Sequence, residues 1–342
     1  MLRVLLLLSW LAPLQAVAGP ERMDEVASLL AERALEAPTA QTLAAIRSDD
    51  WEAALAEFDP HARLIDSDRD AEKGPGMAGI GATIRADAAG DLWLLAQQGG
   101  PAEQAGLLGP VRLLAVDGQP VSAVDAARVA EWIRGRAGST VLIEVGDALG
   151  ESRRYRLTRA AFEPLAVERR ESPVGTVLRI GPFRGGVTRP AVEELLLRHK
   201  RAGGGALVLD LRFSGGGDVF EALDVARLFL PAGKTLARFV DRAGDAQVFV
   251  SRTDGPGRAL PLTVWVSGET ASAAEILAGI LRFHGRAPLL GESTWGKCSI
   301  QTEQPLSDGS LLRFTERRVL FPDGSSCDGH PLSPDGPLPV RQ

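Results

Sequence analysis

Residues 262–283 read L-T-V-W-V-S-G-E-T-A-S-A-A-E-I-L-A-G-I-L-R-F, and the pattern changes midway through them. Leu262–Val266 is a short, continuous apolar and β-branched run, the signature of a strand buried on both faces. From Ala273 the apolar residues recur at three- and four-residue spacing, which is helical. A buried strand leading into a buried helix is part of a βα unit. Similar units surround it: strand Val177–Ile180, helix Pro190–Lys200 with Thr188 as its cap, strand Ala206–Leu211, helix Val219–Leu230 and strand Pro288–Leu290. The repetition predicts a mainly parallel sheet covered by helices. A hairpin around Ser307-Asp308-Gly309 and a Pro-rich tail complete this part.

Upstream the pattern differs. Between Pro20 and Ala71 the stretches Met23–Leu30, Thr42–Ile46 and Trp51–Phe58 carry helical spacing and stop at Asp59-Pro60-His61. The run D-S-D-R-D-A-E-K-G-P-G, residues 66–76, reads as a linker. From Met77 to Leu157 short β-type runs alternate with turns and a helix at Ala123–Arg134. Arg3, the apolar run Val4–Leu14 and Ala16-Val17-Ala18 fit a cleavable secretory signal over residues 1–18. The expected organisation is a signal over 1–18, a helical segment over 19–72, a β-rich domain over 73–160 and an α/β core over 161–342.

A chain of 342 residues is long enough for about two domains with substantial cores. A net charge of -6 and the lack of any Lys/Arg block argue against a nucleic-acid partner. No later apolar run is long enough to span a bilayer, and no cysteine follows the leader, so the expectation is an exported, periplasmic or secreted soluble protein. Cys298 and Cys327 are the only cysteines. One disulfide and two free, partly buried thiols both fit.

The chemistry centres on Ser272 and Lys297. Of 38 basic residues only Lys73, Lys200, Lys234 and Lys297 are lysine. Arginine cannot act as a base, whereas a desolvated lysine amine can. Ser272 stands where the strand yields to the helix, beside the unbonded N–H groups of a helix N-terminus. The Ala273 N–H is then one oxyanion donor, and Gly216 or Gly217 in the loop after Leu211 supplies a second. Each signal has a bland alternative: a helix cap for Ser272, a surface charge for Lys297, a simple turn for the glycines.

Competing chemistry is thinner. His61, His199, His284 and His330 lack metal-ligand spacing, and two cysteines form no zinc signature, so no metal and no cofactor is expected. His284 lies about three helical turns beyond Ser272, too far for direct proton transfer.

Two resemblances gather these residues. Gly79-Ile80-Gly81, Pro101–Gly106 and Val116-Asp117-Gly118, in that order, resemble a PDZ domain. That likeness implies that the Gly79, Ile80 and Gly81 loop captures a peptide C-terminus. The stretches V-L-D-L-R at 208–212, S-A-A-E-I at 272–276, G-R-A at 285–287, G-E-S-T-W-G-K at 291–297, P-L-S-D-G-S at 305–310 and P-D at 334–335, with D-P-H at 59–61, resemble the C-terminal processing, or tail-specific, serine proteases. The resemblance implies a ClpP/crotonase-like α/β core with an inserted PDZ-like domain and an N-terminal helical segment. It further implies a Ser272/Lys297 dyad with Gln301 orienting the amine, and oxyanion donors at Gly216 and Ala273. Implied partners are unfolded or tail-exposed protein substrates, an activating adaptor and a second copy in a homodimer. Three departures stand out: Phe213-Ser214-Gly215 replaces Asn-Asn-Pro, Glu269-Thr270 replaces small residues, and Cys298 replaces a glycine. Two rival readings are an inactive binding or adaptor protein and an acyl-transfer or ligand-binding enzyme on a crotonase-like core.

Overall fold

The computed structural model describes residues 20–65, 77–86, 90–97, 99–107, 110–122, 124–146, 151–163 and 165–339. The expected secretory leader and the whole charged linker, residues 66–76, lie outside the described residues. The chain divides into two compact units, one of Met1–Ser67 with Gln301–Glu316, the other of Asp68–Ile300 with Arg317–Gln342. Among the described residues no helix is long and apolar enough to cross a membrane.

In the first unit the three expected helices form at Pro20–Arg33, Ala40–Ile46 and Trp51–Phe58. Thr39 caps the second, its Oγ1 accepting the Thr42 N–H at 3.0 Å. Met23, Val26, Leu30, Ile46 and Leu55 are buried together with Leu312 and Phe314. The Asp59-Pro60-His61 turn has a structural use. Asp59 Oδ2 accepts the Thr315 N–H at 2.7 Å and its Oδ1 accepts the His61 N–H at 2.9 Å. Sequence reading left residues 301–316 with the α/β core, but they cluster here, and Arg63–Ile65 pairs antiparallel with 311–313.

Among the described residues the second unit holds two large hydrophobic cores and a small cluster of Val177, Val208 and Trp265. The β-rich module orders its antiparallel strands Ala82–Ala86, Leu92–Ala96, Pro110–Val116, Thr140–Gly146 and Ser152–Thr158. Thr140–Gly146 alternates strictly, burying Val141, Ile143 and Val145. The turn at Asp117-Gly118 has φ of 48° and 79°, the left-handed pair that a two-residue hairpin turn requires. Ala82–Ala86 is an edge strand, and the helix, expected from Ala123, begins at Ala126 and ends at Ile133.

The α/β core carries the sheet Val167–Ser172, Gly175–Ile180, Leu207–Asp210, Leu262–Val266 and Leu289–Gly291. Its first pair is antiparallel and the other three pairs are parallel. Helix Thr188–Arg201 starts at the residue expected to cap it; Thr188 Oγ1 instead accepts the Arg184 N–H at 2.9 Å. Helix Val219–Arg227 stops three residues short of the expected Leu230. Helix Ala273–Phe283 is buried from Ala273 through Leu281. Gly279 is required there, since a Cβ would lie 2.1 Å from the Phe321 ring.

Candidate active site

Strand Leu207–Asp210 delivers the first loop of the site. Asp210, 0% exposed, receives Arg212 Nε at 2.8 Å on Oδ1 and Nη2 at 2.9 Å on Oδ2. Burial pushes the Asp210 carboxyl up, but the hydrogen bonds and charge of Arg212, with Arg179 behind, outweigh it and hold the group below its ordinary value. The Arg212 guanidinium lies 4.8 Å from the Trp265 ring centroid and 5.3 Å from that of Phe213. This ion pair anchors the root of residues 211–218.

Three hydrogen bonds stitch that loop to the one before Ser272. Leu211 O accepts Thr270 Oγ1 at 3.0 Å, Arg212 O accepts Ser267 Oγ at 2.6 Å, and Ser214 O accepts the Ala271 N–H at 3.1 Å. Ser214, from the divergent Phe213-Ser214-Gly215 segment, is fully buried and donates its hydroxyl to Gly181 O at 2.8 Å. Gly216 has φ of 98°, and a Cβ on it would lie 2.7 Å from Ser272 Cβ and 3.0 Å from Ala273 N. Only glycine permits that approach. Gly216, Ser272 and Ala273 are therefore adjacent. Among the described residues neither the Gly216 N–H nor the Ala273 N–H donates a hydrogen bond.

Ser272 sits at φ 56°, ψ -123°, a conformation costing a non-glycine residue roughly 1–3 kcal/mol. Such strain persists where the surroundings over-determine it. Here the restraint is Glu275, 0% exposed, whose Oε2 accepts the Ser272 N–H at 3.1 Å and the Lys297 N–H at 2.8 Å. Its Oε1 accepts Thr294 Oγ1 at 2.5 Å and the Gly296 N–H at 2.7 Å. One carboxylate oxygen thus holds the backbone of Ser272 and of Lys297, whose nitrogens lie within about 6 Å of each other. Sequence reading did not single out Glu275. The Ser-x-x-Glu spacing of a capping box was the available signal.

The remaining expected residues fall as follows. Gln301 belongs to the first unit, where its Nε2 donates to Thr315 Oγ1 at 3.2 Å. His284 ends the helix that Ser272 begins and engages Thr235 O at 2.8 Å through Nε2. Cys298 and Cys327 form a disulfide, with Cα atoms 5.1 Å apart. Gly79, Ile80 and Gly81 line a separate cavity of about 540 Å³ between edge strand Ala82–Ala86 and helix Ala126–Ile133, with Arg134 also on its wall. The Ile80 side chain is packed into the module core, so this residue offers its backbone. Among the described residues the N–H groups of Ile80 and Gly81 donate no hydrogen bond.

A strand-to-helix turn thus presents a strained serine beside the backbone N–H groups of Gly216 and Ala273, which donate no hydrogen bond among the described residues. Residues 176–338 match the Peptidase family S41 model. It is 28% identical over 237 residues to the "Probable CtpA-like serine protease" of Staphylococcus haemolyticus (strain JCSC1435), covering 69% of this chain and 47% of that one. It is 27% identical over 283 residues to that of Staphylococcus aureus (strain bovine RF122 / ET3-1), covering 81% and 56%. The chain spans about half the length of these curated relatives. Among solved structures, the photosystem II D1 C-terminal processing protease matches with a TM-score of 0.67 and 26% identity, over 93% of this chain and 92% of that one.

Proposed function

We propose that this protein is an exported serine endopeptidase that recognises the C-terminal tails of unfolded or tail-exposed proteins and cuts the chain nearby. Ser272 is the nucleophile and Lys297, in its neutral form, the general base. The Ser272 proton passes to the Lys297 amine as Oγ attacks the scissile carbonyl. The N–H groups of Gly216 and Ala273 take the oxyanion, and the protonated amine then supplies the proton for the leaving nitrogen. Water attacks the acyl-enzyme by the same steps in reverse order of roles. No cofactor is needed.

The observation that carries this reading is the shared hold of Glu275 Oε2 on Ser272 and Lys297. Support for tail recognition comes from the cavity beside Gly79–Gly81. An edge strand can accept an added strand there, while the Ile80 and Gly81 amides, which donate no hydrogen bond among the described residues, suit a terminal carboxylate. The β-rich module is accordingly read as a PDZ-like domain inserted before a ClpP/crotonase-like core.

The test is incubation of the mature protein with an unfolded substrate and mass analysis of the fragments. Ser272→Ala and Lys297→Arg should each lower turnover by at least about a thousandfold, because the nucleophile and base act as a unit. Full cleavage by Lys297→Arg would end the dyad assignment. Cleavage absent from the wild type as well would leave the binding-protein reading in its place.

A further inference from the structure

The segment 326–332 is fastened along the turn that carries Lys297. Thr294 N–H donates to Leu332 O at 3.1 Å, and Leu332 N–H donates to Thr294 Oγ1 at 2.8 Å. The Gly329 N–H donates to Gly296 O at 2.8 Å, and the Cys298 N–H donates to Asp328 Oδ1 at 3.2 Å. The Cys298–Cys327 disulfide is the one covalent member of this set, and both cysteines are 0% exposed. Lys297 is therefore flanked by two restraints. On its N-terminal side Glu275 holds the N–H groups of Gly296 and Lys297; on its C-terminal side the disulfide holds the very next residue.

We propose that the Cys298–Cys327 disulfide is a positioning element for Lys297, holding the lysine turn in register with Ser272 so that turnover depends on the redox state of this pair. The proposal rests on the assignment of Lys297 as the base. A lysine side chain has four rotatable bonds, so its amine is placed no better than the backbone that carries it. A displacement of about 1 Å at a reacting group can cost on the order of a hundredfold in rate. Opening the bond takes two electrons and two protons from an external dithiol, which leaves as its own disulfide; oxidised glutathione reverses the exchange. With the bond open, no covalent tie joins residues 326–332 to the turn, and the Cys298 peptide is held by hydrogen bonds alone, its N–H on Asp328 Oδ1 and its carbonyl accepting the Val319 N–H at 2.9 Å.

The experiment compares the full-length mature wild type, oxidised and reduced by dithiothreitol, with the Cys298→Ser/Cys327→Ser double variant. Two readouts are taken on each: kcat and KM per folded molecule, with folding followed by near-ultraviolet circular dichroism, and amide hydrogen exchange over residues 291–300. The expected result is a kcat lower by about ten- to a hundredfold with KM within about twofold. Exchange at Gly296 and Lys297 should be faster while Ala273–Phe283 stays protected, and reoxidation should restore both readouts in the wild type. Unchanged kcat and unchanged exchange would overturn the proposal. So would a loss that tracks unfolding, because the bond would then serve the fold alone. A wild type inactive in every state, like Ser272→Ala, removes the protease reading; the exchange data then still decide whether the bond holds the turn.

Discussion

Ser272 shows how much support a single strained residue needs. Its positive φ is held by a hydrogen bond to Glu275, and that carboxylate collects three further donors from Thr294, Gly296 and Lys297. A buried carboxylate is tolerated only when its acceptor sites are filled, and here four donors fill them. Glu275→Gln keeps the shape but turns one acceptor oxygen into a donor facing another donor. We expect it to lower the stability by about 2–4 kcal/mol, read from the urea midpoint, and to lower kcat even where the protein is folded. Wild-type stability in that variant would mean that the carboxylate charge is not what holds the turn. Gly216 makes the complementary point, for its missing side chain is what brings a second backbone next to Ser272.

The elements that supply these residues are held by their own ends. Strand Leu207–Asp210 finishes on a buried carboxylate clamped by Arg212, so the loop carrying Gly216 leaves from a fixed point. The folded-state value of Asp210 is depressed, so its stabilising contribution is present above the unfolded carboxylate value of about 4. That contribution is lost as pH falls from there through the folded value. Thermal unfolding of the wild type should therefore weaken below about pH 4, while Asp210→Asn should be less stable at pH 7 and respond less to acid. An identical acid response in the two proteins would assign the effect to other carboxylates. Helix Ala273–Phe283 depends on a different end condition, its first residue following the serine directly and its middle glycine lying flat against Phe321.

At the scale of the whole molecule, the three larger hydrophobic clusters among the described residues belong to three different parts of the chain. The helical unit closes around residues 301–316, the β-rich module carries the cavity at Gly79–Gly81, and the α/β core carries Ser272 and Lys297. If the module reads a free carboxylate, a peptide substrate with an amidated C-terminus should show a KM raised about tenfold or more, since a charge-assisted hydrogen bond is worth about 1.5–3 kcal/mol. Deletion of residues 77–157 should abolish this difference and change the cleavage rate. Equal KM values for the two peptides would separate the cavity from substrate selection.

The parts legible in the chain were those written in local pattern. Alternation and helical spacing set out the strands and helices, glycines marked the turns, and the contrast between four lysines and many arginines singled out Lys297. Those signals need only a few neighbouring residues. Glu275 was visible only as a capping-box spacing, because three of its four donors come from the turn at 294–297 and reach it only after the sheet has formed. Two cysteines left bonded and free states equally open until folding brought their Cα atoms to 5.1 Å. Residues 301–316 joined the N-terminal helices because Asp59 and Arg63–Ile65 meet them across about 250 positions of chain, a partnership set by packing and strand pairing that no short window encodes.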